Sequence, residues 1–325
     1  MAKELYELNE LEERVILVAV EMDERSSRSA MDTDACLDEL EELVKTAGGT
    51  AVARSVQKRE RIHPGHYLGT GKIEELKAML LAYDATGIVC DDELSPAQLR
   101  NLEQMLGTKV MDRTIVILDI FAARALSGEG KIQVELAQLK YRLSRLTGMG
   151  ASMSRLGGGI GTRGPGEKKL ETDRRYIKER IAELNKDAQE IRTHRELLRA
   201  QRSKKGTPVI SLVGYTNAGK STILNRLSDA GVLAEDKLFA TLDTTTRKIE
   251  LPGGSEVFLT DTVGFIQKLP HHLVQAFRAT LEELQYADIL LHVVDASDAN
   301  RAEHIEVVYD TLRSLGCEDT PVITV

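Results

Sequence analysis

The chain has 325 residues, 42% hydrophobic and 29% charged, with a net charge of −8 and no tryptophan. That length accommodates two or three units with separate cores, built mostly from Leu, Ile, Val and Ala because aromatics are scarce. No apolar run approaches the roughly 18 residues of a membrane span. The acidic stretch from Met1 to Arg14 is unlike a signal peptide, and Cys36, Cys90 and Cys317 match no metal spacing and suit free thiols in a reducing cytoplasm.

Val15 to Val20 is an apolar run suited to a buried strand. Asp32 to Ala47 has helical spacing at Leu37, Leu40, Leu43 and Val44, and stops at Gly48-Gly49. Thr50 to Val56 reads as a strand, and Gly71 to Tyr83 as a helix with Ile73, Leu76, Met79 and Leu80 on one face. Gly87 to Cys90 is a strand, and Pro96 to Leu106 a helix beginning after Ser95. Val110 and the stretch Ile115 to Ile120 complete the alternation, which implies a small α/β domain with a largely parallel sheet over residues 1–125. His63 and His66 have no metal partners at ligand spacing and read as loop residues rather than RNA contacts.

The period then changes. Ile132, Leu136, Leu139, Leu143 and Leu146 are spaced by four and three in turn. Leu170, Ile177, Ile181, Leu184, Ala188, Ile191 and Leu198 keep that register, with Arg174 and Arg195 in two seam positions. Two narrow heptad stripes pack most simply as an antiparallel coiled-coil hairpin, an arm over residues 126–206 whose second helix is roughly 43 Å long. Between the helices, residues 157–166 contain six glycines, too many for regular structure. This tip is either a plain connector or, with Arg155, Arg163, Lys168 and Lys169 around it, an RNA contact. From Lys140 to Gly206 there are 18 Lys and Arg against 8 Asp and Glu, whereas the rest of the chain has 25 against 43. One basic segment in an acidic protein suits a polyanion or simply a solvated helical surface.

Gly206-Thr207-Pro208 marks the last boundary, with a third domain at 207–325. Val209 to Val213 is a strand running into Gly214-Tyr215-Thr216-Asn217-Ala218-Gly219-Lys220-Ser221 and then into a helix from Thr222 to Leu227. Every fixed position of a phosphate-binding P-loop is present in its strand–loop–helix setting. The glycines let backbone N–H groups turn toward phosphates, Lys220 supplies an ammonium for the β- and γ-phosphates, and the Ser221 hydroxyl suits Mg²⁺. A second strand, Val257 to Thr260, delivers Asp261-Thr262-Val263-Gly264. The aspartate suits water-mediated contact with Mg²⁺ and the Gly264 amide can sense the γ-phosphate. Between them Phe239-Ala240-Thr241-Leu242-Asp243 resembles a switch segment in which Thr241 ligates Mg²⁺ only with a triphosphate present. Thr244, Thr245 and Thr246 are its competitors.

These motifs occur in the order of the Ras-like and translation-factor-like GTPases. Gly214 to Thr222, Phe239 to Asp243, Asp261 to Ile266, Gly164-Pro165-Gly166-Glu167 with Leu170 to Arg175, His66 to Lys72 and Asp112 to Arg145 together resemble the HflX family over nearly the whole chain. That resemblance implies a cytoplasmic GTPase, taking GTP or GDP with Mg²⁺, that binds the large ribosomal subunit and helps separate stalled or idle ribosomes. It also implies that the N-terminal domain and arm contact ribosomal RNA, with the tip reaching toward the peptidyl-transferase region. The position where Ras-like enzymes carry a water-orienting glutamine is Phe265. Asn217 is either a turn residue or, as in related GTPases lacking the glutamine, a partner for K⁺.

The fold class expected is therefore α/β: a parallel-sheet domain, a helical arm and a P-loop GTPase domain. Pro321 to Val325 looks like the strand before the guanine-reading Asn-Lys-x-Asp motif, so that motif and the last helix are expected to be missing from this sequence. Two other readings stay open on the residues alone: a P-loop ATPase that remodels RNA, and a non-catalytic RNA-binding module. A monomer is expected.

Overall fold

The computed structural model describes residues 13–22, 32–153, 165–203, 206–228, 237–270, 273 and 281–325. They divide into two compact units, one holding Asp32–Leu94 and Gln98–Val116 with the strand before them, the other holding Ile117–Val325 and Ser95–Ala97.

The first unit alternates β1 (Arg14–Met22), α1 (Thr33–Thr46), β2 (Thr50–Arg59), α2 (Thr70–Ala82), β3 (Gly87–Cys90), α3 (Pro96–Leu106) and β4 (Lys109–Asp112). The strands form a sheet in the order β2-β1-β3-β4, every pair parallel. β1 is buried from Val15 to Val20, because helices cover both faces of a parallel sheet. Ile16, Val18 and Val20 point into a core with Ile73, Leu76 and Leu102, while α1 packs on β1 and β2. Ile115 to Ile120 belong to a helix, α4 (Arg113–Arg124), which the side chain of Asp112 starts by accepting from the Ile115 N–H at 3.1 Å. His63 and His66 stack at 3.6 Å in a loop, where His63 Nδ1 accepts from the amides of Gly65 and His66.

In the second unit α5 (Gly128–Met153) packs against α6 (Pro165–Ser203). Arg195 pairs with Glu129 and Arg180 with Glu135, so the later residue of α6 meets the earlier residue of α5 and the helices are antiparallel. Along α6 the expected stripe is the shielded one, with Leu184 and Ile177 buried and most other described positions exposed. Arg195 tolerates its seam position because Glu129 and Glu283 both pair with it. α5 differs. Besides the half-buried Ile132 and Leu139 it buries Val134, Ala137 and Tyr141, a second stripe beside the heptad seam. The tip residues Arg155 and Arg163 lie outside the described residues. Lys168 and Lys169 fall in the first turn of α6, with their side chains outside the description.

The P-loop sheet has the order β6-β7-β5-β8-β9, with β5 (Val209–Gly214), β6 (Thr245–Glu250), β7 (Glu256–Asp261), β8 (Ile289–Val293) and β9 (Val322–Thr324). Only β6 runs antiparallel, paired to β7. Its sequence, Thr-Thr-Arg-Lys-Ile-Glu, gives no apolar alternation, and of its side chains only Ile249 is buried, so the sequence carries no strand signal there. α7 (Lys220–Ser228), a short 3-10 helix (Glu282–Tyr286) and α8 (Arg301–Ser314) complete the described helices of this unit.

Candidate nucleotide site

β5 is central, with β7 and β8 parallel on either side, so its carboxyl end opens where ligands enter α/β sheets. There Gly214 leads into the loop and Lys220 begins α7. Tyr215 and Phe265 form an isolated bridge: the Thr216 N–H donates to Phe265 O at 2.7 Å and the Phe265 N–H to Gly214 O at 3.1 Å. That bridge lays the segment after Asp261 alongside the P-loop. A cleft of about 220 Å³ lies between them.

The loop residues Thr216, Asn217, Gly219, Lys220, Ser221 and Thr222 line this cleft, facing Phe239, Ala240, Thr241, Thr262 and Gly264. Gly264 has to be glycine by close approach. A Cβ there would sit 2.6 Å from Thr216 Cα and 2.9 Å from Lys220 Nζ. Asn217 takes a left-handed backbone, φ 61°, which asparagine adopts readily. Gly214 and Ala218 support the loop from the core side, Ala218 against the cluster of Leu212, Leu224 and Val293. Leu242 and Val263 are buried. Asp243 binds elsewhere, on the start of α5.

Three hydroxyl and carboxylate groups converge. Ser221 Oγ lies 2.7 Å from Thr241 Oγ1 and donates to Asp261 Oδ2 at 2.6 Å. Asp261 Oδ1 is buried without a hydrogen-bond partner. Burial raises the Asp261 pKa, and the Ser221 hydrogen bond and the Lys220 charge offset this only in part. Burial likewise pulls the Lys220 ammonium from 10.5 down to about 8, with Asp261 opposing. Lys220 Nζ donates to Tyr215 O at 2.6 Å. The site thus holds opposite charges in a desolvated place, the condition in which a charged ligand gains most. Of the competing threonines, Thr245 and Thr246 lie on β6, and Thr246 Oγ1 meets Thr260 Oγ1 at 3.0 Å.

Sequence reasoning missed one participant, Lys237, and the role of another, Tyr215, which it had placed in the P-loop only by position. Lys237 lines the cleft, two residues before the Phe239 motif. Tyr215 is a hub: its carbonyl accepts from Lys220, its hydroxyl accepts from the Gln267 N–H at 2.9 Å, and its ring stacks on His304 at 3.7 Å. The variable second position of a P-loop gives no signal for this. Among the described residues no cluster of three or more His, Cys, Asp and Glu side chains is placed to hold a metal ion. No helix among the described residues is long and apolar enough to cross a membrane.

Sequence models of three protein families match successive stretches: a GTP-binding GTPase N-terminal region over residues 34–122, a GTP-binding GTPase middle region over 124–202 and a 50S ribosome-binding GTPase over 209–325. The GTPase HflX of Lacrimispora saccharolytica is 65% identical over 322 residues, 99% of this chain and 75% of that protein. The GTPase HflX of Caldanaerobacter subterraneus subsp. tengcongensis is 54% identical, over 98% of this chain and 73% of its own length. That of Escherichia coli K12 is 47% identical over 89% of this chain and 68% of its own length. The crystal structure of the SsGBP and GDP complex, at 24% identity and a TM-score of 0.51 over 96% of this chain and 81% of that one, shares the fold. With relatives of such identity along nearly its whole length, the chain belongs to the HflX family of GTPases, which bind and hydrolyse GTP.

Proposed function

We propose that this GTPase is a Mg²⁺-dependent switch that acts, as a cytoplasmic monomer, on the large ribosomal subunit and promotes the separation of stalled ribosomes. The observation that carries the switch is the convergence of Ser221 Oγ, Thr241 Oγ1 and Asp261 Oδ2. Support for the ribosome comes from the 50S ribosome-binding family matched over residues 209–325 and from the basic segment at 140–206.

The donor set suits a hard cation. Hydroxyls and a carboxylate are oxygen ligands, and the orphaned Asp261 Oδ1 is an acceptor for a water of a hydrated ion. Ser221 and Thr241 would hold Mg²⁺, which when bound neutralises charge on the phosphate oxygens. Lys220 brings its ammonium to the same oxygens, and binding of a polyanion restores the charge that burial disfavours. The Gly264 N–H, free of any side chain at its own α-carbon, approaches the terminal phosphate. Phe265 is buried and carries no polar group, so the attacking water is placed by backbone groups or by order imposed from outside. Asn217 lines the cleft, where its side-chain oxygen would help hold K⁺. Arg155, Arg163, Lys168 and Lys169 would meet ribosomal RNA at the arm's tip.

The test is GTP turnover by the full-length protein at equal ionic strength in KCl and NaCl, with and without large subunits. Large subunits should raise kcat at least tenfold, and K⁺ should exceed Na⁺ until Asn217→Ala abolishes the difference. Turnover indifferent to the subunit would sink the ribosomal reading, and turnover indifferent to the cation would remove K⁺.

A further inference from the structure

The segment Phe239–Asp243 touches the nucleotide site at its start and middle and the root of the arm at its end. At its start, the Phe239 N–H donates to Thr216 Oγ1 at 2.7 Å, and its ring meets Phe121 of α4 edge to face at 4.8 Å. At its middle, Thr241 Oγ1 lies beside Ser221 Oγ. At its end, the Asp243 carboxylate covers the first turn of α5. Asp243 Oδ2 accepts from the amides of Leu126 at 2.9 Å and Ser127 at 2.8 Å, and Oδ1 accepts from Ser127 Oγ at 2.5 Å. Ser127 Oγ in turn accepts from the Gly130 N–H at 2.8 Å. A Cβ at Gly130 would run into the Asp243 carboxylate, so the helix gives way to it.

A helix leaves its first N–H groups without intrahelical partners, and a carboxylate there is favoured by both hydrogen bonding and the helix dipole. Asp243 reaches this end of the helix from a segment 116 residues away: it holds the amides of Leu126 and Ser127 just before α5, while Ser127 Oγ takes the first-turn N–H of Gly130. One residue, Leu242, separates Asp243 from Thr241, and the two peptide steps between them span at most about 7 Å. Thr241 therefore cannot withdraw far from Ser221 without dragging Asp243 from α5.

We infer that Asp243 is a positioning residue: docked on the start of α5 it holds Thr241 against Ser221, and it passes the nucleotide state to the helical arm. The inference rests on the proposed role of Thr241 as a ligand present only with the triphosphate. Coupling of this kind is reciprocal. A ligand on the arm that disturbs the first turn of α5 changes triphosphate affinity by the same factor.

The test uses the full-length protein with GDP and with a non-hydrolysable GTP analogue, reading equilibrium affinities and amide exchange over residues 125–135. In the wild type, the first turn of α5 should be better protected with the analogue than with GDP. Asp243→Ala should abolish that difference and weaken the analogue about tenfold, within the usual span of coupling factors, while GDP affinity changes less than twofold. Asp243→Asn, which keeps an acceptor for the two backbone amides, should retain most of the effect. It also serves if the alanine variant fails to fold. Equal exchange with both nucleotides, or equal weakening of both by Asp243→Ala, would reduce Asp243 to an ordinary helix cap and overturn the inference. Thr241→Ala separates the two levels. If it leaves the analogue preference intact, the reading of Thr241 falls and the inference with it. If it abolishes the preference while Asp243→Ala does not, only the inference falls.

Discussion

The first unit buries Arg113 and the second buries Lys220, and the surroundings of the two cations differ in kind. Arg113 is 1% exposed and is gripped by Asp91 at 2.6 Å, by Glu39 and by the Cys36 carbonyl at 3.2 Å. Burial alone would push its pKa down, but the charges of Asp91 and Glu39 more than offset this and hold it above the ordinary arginine value. Lys220 has the carbonyl of Tyr215 and the field of Asp261, and burial wins. One network is closed by the protein's own groups. The other is left short of counter-charge, which is the signature of a place built for a charged ligand.

The strongest way to break that contrast is to remove each cation. Lys220→Ala should cost at least 100-fold in GTP affinity by fluorescent-nucleotide titration, with the unfolding midpoint of the nucleotide-free protein unchanged or raised. Arg113→Ala should do the opposite. It takes the cation away from two buried carboxylates, Asp91 and Glu39, so chemical denaturation should show a loss of about 3–5 kcal/mol, while the folded fraction keeps its GTP affinity. Similar behaviour of the two variants would mean that both cations are structural.

Gly264→Ala sharpens the same comparison within the site. The added methyl meets Thr216 Cα and Lys220 Nζ, so the segment after Asp261 must lift from the P-loop. We expect GTP turnover to fall roughly 10²-fold, the cost of removing one well-placed amide donor, with GDP affinity altered less than threefold. A variant that turns over normally would show that the Gly264 amide takes no part.

A smaller effect is expected at the arm. Neutralising Arg155, Arg163, Lys168 and Lys169 together should weaken ribosome co-sedimentation and flatten its dependence on salt, because each lost phosphate contact releases fewer counterions. Nucleotide affinity should stay within twofold. Unchanged sedimentation across several salt concentrations would make the glycine-rich tip a connector.

The smallest effect concerns pH. Lys220 holds its proton to about 8 in the fold and to 10.5 when exposed. Between those values the unfolded chain binds more protons, so stability rises with pH as the buried charge is relieved, and the full cost applies below 8. The stability advantage of Lys220→Met over the wild type, measured without nucleotide, should therefore shrink between pH 7.5 and 9.5. A constant gap would show that Lys220 is not desolvated.

The P-loop was legible because its function is local: strand, glycine turn, lysine and helix all lie between Val209 and Ser228, and their spacing fixes their geometry. The heptad stripe of α6 was legible for the same reason, since one face of a helix follows from the 3.6-residue period. The second stripe of α5 was not: Val134, Ala137 and Tyr141 share the three–four spacing, but Ala and Tyr do not mark a core face by type, and their burial was decided by tertiary packing. β6 escaped because an edge strand with exposed charges carries no alternation to read.

The sequence by itself determined the order of elements, the P-loop and the membership of the family. Only the tertiary structure decided which threonine meets Ser221, that Tyr215 ties the P-loop to Gln267 and His304, and that Asp243 serves the arm while its neighbours line the cleft. Each of those rests on a partner between 20 and 117 residues distant. Such partners are chosen by burial and by the need of each desolvated donor to find an acceptor, and neither is written in the spacing of neighbouring residues.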